Sequence, residues 1–61
     1  MTNKKYYVTE YATDRINAIN ENPLMVSWIK TKIINTIKNA LDSYNDGFIT
    51  TDEAMIQIAN A

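Results

Sequence analysis

Cysteine and histidine are both missing from this 61-residue chain. Their absence removes disulfides as a staple and removes the usual nucleophile–base pairs of triads and dyads. A structural zinc site would have to be built from carboxylates alone, which is not how such sites are made. Charge of one sign is scarce as well: six basic against seven acidic residues give a net charge of −1, and Arg15 is the single arginine. That balance raises no broad field to steer nucleic acid. No apolar run spans a bilayer, because Lys30, Lys32, Lys38 and several amides interrupt the most apolar stretch. Lys4 and Lys5 lead into a mixed segment with neither an apolar core nor a small-residue cleavage site, so no export signal is expected. A cytoplasmic setting is the resulting expectation. Glycine and proline occur once each, at Gly47 and Pro23, and mark two expected turns.

The chain is long enough for one domain and no more. Area scaling gives about 4,000 Å² folded against roughly 10,000 Å² unfolded. Burial at ~25 cal/mol/Å² then contributes roughly 90 kcal/mol, and ordering every residue at ~1.5 kcal/mol takes back about as much. Small terms therefore decide stability, and self-association as a homodimer is the expected staple. At 46% hydrophobic residues the chain is too apolar for a disordered tail. Eight asparagines and nine isoleucines suggest AT-rich coding, which fits a phage or other mobile element.

The reading is an all-α, three-helix domain over residues 1–61, built around a long central helix. Asn22 as N-cap and Pro23 at the first helical position start that helix, which runs over residues 23–44. Val26, Ile29, Ile33, Ile37, Ala40 and Tyr44 form its apolar stripe, widened by Ile34 and Leu41. Leu24 and Trp28 project nearly opposite. Residues 1–8 are expected to be flexible or extended, with Thr9 capping a first helix over 10–21 whose inner face is Tyr11, Ala12, Ile16 and Ile19. A pairing strand over 6–13 is the alternative there. The Asn45-Asp46-Gly47 turn separates the central helix from a short third one over 51–60. Thr50 and Glu53 announce its start as a capping box, and Phe48 and Ile49 are expected to fill the corner. Ala54, Met55, Ile58 and Ala59 form its inner side.

No catalytic constellation stands out, no cofactor is implied, and the chain is expected not to be an enzyme. The sharpest motif is calcium-like: residues 42–53 align in part with an EF-hand loop. There Asp42, Asp46, Thr50 and Glu53 supply oxygens, and Phe48 offers its carbonyl. Tyr44 departs from the pattern, standing where a short oxygen ligand belongs. A plain helix–turn–helix corner accounts for the same residues without a metal, which is the favoured reading. Three short helices also suit a DNA-binding regulator, for which Lys30, Lys32, Asn35 and Asn39 are the candidate contacts. The favoured function is a protein–protein interaction module, a small regulator or inhibitor that occupies a partner's surface. Its candidate contacts are Tyr7, Tyr11, Leu24, Trp28, Ile33 and Ile37, because aromatic and large apolar groups off the core stripe mark interfaces. The sequence does not name the partner.

Overall fold

The computed structural model describes the backbone of residues 4–61 and the side chains from Tyr7 onward. Three helices follow one another: α1 Lys4–Glu21, α2 Ser27–Asn45 and α3 Thr51–Asn60. Among the described residues there is no strand, so the pairing-strand alternative for residues 6–13 falls. No helix among them is long and apolar enough to cross a membrane.

Each helix touches both of the others. The core is Val8, Ala12 and Ile19 from α1, Ile37 and Ala40 from α2, and Ala54 and Ile58 from α3. Tyr11, Ile16, Ile33, Ile34, Leu41, Tyr44 and Met55 pack around it, half-buried. The first helix therefore begins earlier than the expected residue 10. Val8 is fully buried and continues the Ala12–Ile19 stripe one turn toward the N-terminus. A helix buries that valine on the same face as its successors, whereas an extended segment would break the register. Thr9 is thus inside the helix, not its cap, and its carbonyl accepts from the Thr13 hydroxyl at 2.9 Å. Residues 1–3 of the expected flexible segment lie outside the described residues.

The central helix starts four residues later than Pro23 predicts. Asn22 Oδ1 does accept from the Leu24 N–H at 2.9 Å, but that bond closes a turn and not a helix. Continuing the helix back through the proline would turn Met25 about 120° from Ile37, away from the core. The turn instead tucks Met25 against the core. Val26 then leads in with extended backbone and no side-chain cap, its carbonyl accepting from the Lys30 N–H at 3.1 Å.

At the other end the chain turns as the sequence suggests. Gly47 has φ +85°, where a Cβ is penalised. The Phe48 N–H bonds to the Ser43 carbonyl at 2.9 Å and the Gly47 N–H to that of Tyr44 at 3.1 Å. This paired arrangement is a Schellman stop. Thr50 and Glu53 then complete the capping box: Thr50 Oγ1 accepts from the Glu53 N–H at 3.2 Å, and Glu53 Oε1 from the Thr50 N–H at 3.1 Å. Ile49 packs on the core, but Phe48 is 81% exposed and does not fill the corner. Ala59 is exposed as well, off the Ala54–Ile58 face.

The helices differ in reach. At 1.5 Å per residue α1 and α2 are each about 27–29 Å long, and α3 about 15 Å. Arg15 Nη2 donates to the Ala61 carbonyl at 3.3 Å, which sets the end of α3 beside the middle of α1. Beyond that point the α1–α2 hairpin has no third helix over it. The radius of gyration, 11.8 Å, exceeds the ~10.5 Å of a compact chain this long accordingly.

Candidate interaction surface

At the uncovered end of the hairpin several apolar side chains face water together. Leu24 is 92% exposed, Trp28 68% and Val26 51%, three large groups within five residues at the α1–α2 turn. Trp28 projects outward because it lies nearly opposite Ile37 on α2. Leu24 projects outward because the Asn22–Leu24 turn sends Met25 inward in its place. Lys30 braces this end, its Nζ donating to the Asn20 carbonyl at 2.9 Å. That carbonyl belongs to the last turn of α1, where a cation also meets the negative end of the helix dipole.

The other candidate partner contacts separate. Tyr7 is 52% exposed and Tyr11 half-buried, both on α1. With Glu10 and Asp14 they line an open depression of about 220 Å³. Ile33 is half-buried against the core, and Ile37 has no exposure at all. Ile37 is therefore a core residue and not a contact, because α1 and α3 both close over the middle of α2.

Of the candidate nucleic-acid contacts, Lys32, Asn35 and Asn39 share one exposed face of α2. Lys30 does not join them, being turned to the end of α1. The acidic groups of residues 42–53 do not gather. Asp42 lies within α2, Asp46 caps its end, Thr50 and Glu53 hold each other, and the ring of Phe48 points to solvent. Among the described residues no three acidic groups lie where one metal ion would be held.

Three exposed apolar groups escaped the sequence reading: Val26, Phe48 and Ile56, the last 60% exposed on α3. Ile56 was within reach, since it projects about 200° from Ala54, as Trp28 does from the α2 stripe. Val26 was not, because its place on the stripe holds only if the helix includes it. Comparison with protein-family models, with curated proteins and with solved structures finds no match for this chain.

Proposed function

We propose that the chain is a non-enzymatic protein-binding module, a small regulator or inhibitor that acts by covering part of a partner. The exposure of Leu24 and Trp28 at the end of the hairpin that α3 does not reach carries this reading. Large apolar groups clustered on a small surface favour a protein that covers them. Magnitude limits what the patch does alone. Burying a tryptophan of ~150–250 Å² and a leucine at ~25 cal/mol/Å² contributes roughly 6 kcal/mol, about the lower bound of what association costs. A stable complex therefore draws on further contacts around the patch. Self-association and a cytoplasmic setting belong to the same proposal.

The test compares the wild type with Leu24→Ser/Trp28→Ser and with Ile56→Ser as bait in the native cell. A partner retained by wild type and by Ile56→Ser, and lost at least tenfold with the double variant, supports the reading. Equal recovery by all three baits sinks it. Sedimentation over a range of concentrations reads self-association in the same variants.

A further inference from the structure

The depression on α1 has a chemistry different from that of the turn. Tyr7, Glu10, Tyr11 and Asp14 follow at helical spacing, so two phenol rings and two carboxylates face one space of about 220 Å³. Tyr11 is anchored against the core, which holds its ring in place. Glu10 and Asp14 stand at i and i+4, a spacing at which like charges repel. The single arginine of α1 is turned to the Ala61 carbonyl and does not offset them. Glu21 adds a third exposed carboxylate two turns beyond Asp14 on the same face, about 10 Å along the axis.

We infer that this face binds a basic, arginine-bearing segment of a partner protein, one guanidinium seated between the two tyrosines and the Glu10–Asp14 pair. Aromatic faces attract cations, and a guanidinium stacks on a ring while its N–H fork donates to carboxylates. In a polyproline II segment, with three residues per turn, a second arginine three residues on points the same way about 9 Å along and reaches toward Glu21. Anions are repelled, and two carboxylates on one open helix face give no cage for a divalent metal. Each contact is solvated and individually weak, so the occupant is a segment with several contacts and not a free small cation. The inference rests on the protein-binding reading and adds a site about 15 Å or more along α1 from the Leu24–Trp28 turn.

The probe is an acetylated, amidated Arg-Gly-Gly-Arg peptide, with citrulline replacing both arginines as its uncharged control. It is titrated into the full chain while backbone amide shifts of residues 7–21 are followed by NMR at low salt. The expected result is saturable movement of the Tyr7–Asp14 amides with the arginine peptide and none with citrulline. Glu10→Gln/Asp14→Asn weakens binding about tenfold or more, Glu21→Gln by less, and Trp28→Ser leaves it unchanged. These substitutions lie on exposed positions, and an unchanged amide spectrum elsewhere shows the fold intact. A response to citrulline equal to that to arginine, no saturable shift, or full binding by the double carboxylate variant overturns the site. Loss of bait capture with Leu24→Ser/Trp28→Ser is a separate readout, so the two readings fail independently.

Discussion

The two turns of this molecule are closed in opposite ways. Between α2 and α3 nearly every step is a local hydrogen bond: two backbone bonds stop α2 around Gly47, and two Thr50–Glu53 bonds start α3. Between α1 and α2 the Asn22 N–H bonds back to the Ile19 carbonyl at 3.2 Å and its Oδ1 accepts from the Leu24 N–H, but α2 starts on Val26 with no side-chain cap. What places the chain there is tertiary: Met25 against the core and Lys30 reaching back to Asn20. A turn closed by its own residues is written in its own residues. A turn closed by contacts elsewhere is not.

The contrast breaks most sharply at Gly47. Its added Cβ would meet nothing within 4 Å, so the cost of Gly47→Val is conformational and not a clash. Forcing a β-branched residue to φ +85° is expected to cost about 1–3 kcal/mol. That is a large part of the roughly 3–9 kcal/mol such a small domain has in total. Urea unfolding reads it, with Gly47→Asn as the milder comparison; equal stability of all three would show that the corner does not need the left-handed backbone. Thr50→Ala comes next, at about 1 kcal/mol for the lost cap. A double-mutant cycle with Glu53→Ala sharpens the point. Because the two bonds form one box, the double variant is expected to lose less than the sum of the singles. Additive losses would mean the two residues cap independently.

The smallest effect belongs to the opposite turn. Leu24→Ser and Trp28→Ser together are expected to change stability by no more than about 0.5 kcal/mol, since both side chains face water. A loss well above that in urea unfolding would show both groups packed in solution, and the free apolar patch would not exist. The measurement thus bears on the fold and on the proposed function at once.

Legibility from sequence followed the same division. The stripes of α1 and α2, the position of α3 and its capping box all came from spacing and local chemistry. Tyr11, Ala12, Ile16 and Ile19 do face inward, with Asp14, Asn17, Asn20 and Glu21 exposed on the other sides of α1. The outward projection of Trp28 was readable too, whereas Leu24 is exposed by the turn before α2 and not by a place on the helix. The misreadings had tertiary causes. Tyr6, Tyr7 and Val8 have strand-favouring chemistry, but the core needs Val8 on a helix. Asn22-Pro23 has the chemistry of a helix start, yet Met25 finds its burial only if the helix waits until Ser27. Ile37 has the stripe position of a contact, yet it is where three helices meet.

By itself the sequence determined that this chain is helical, where α3 begins, and which sides of the helices are apolar, because those follow from periodicity and from hydrogen bonds spanning a few residues. It also excluded disulfides and histidine or cysteine chemistry, since the atoms are not there. Only the tertiary structure decided how far the helices overlap. A 10-residue α3 laid on a hairpin of 18- and 19-residue helices covers one half and leaves the other open. That the apolar groups of the α1–α2 turn remain surface follows from that mismatch in length, a property of the packed helices that no single segment carries.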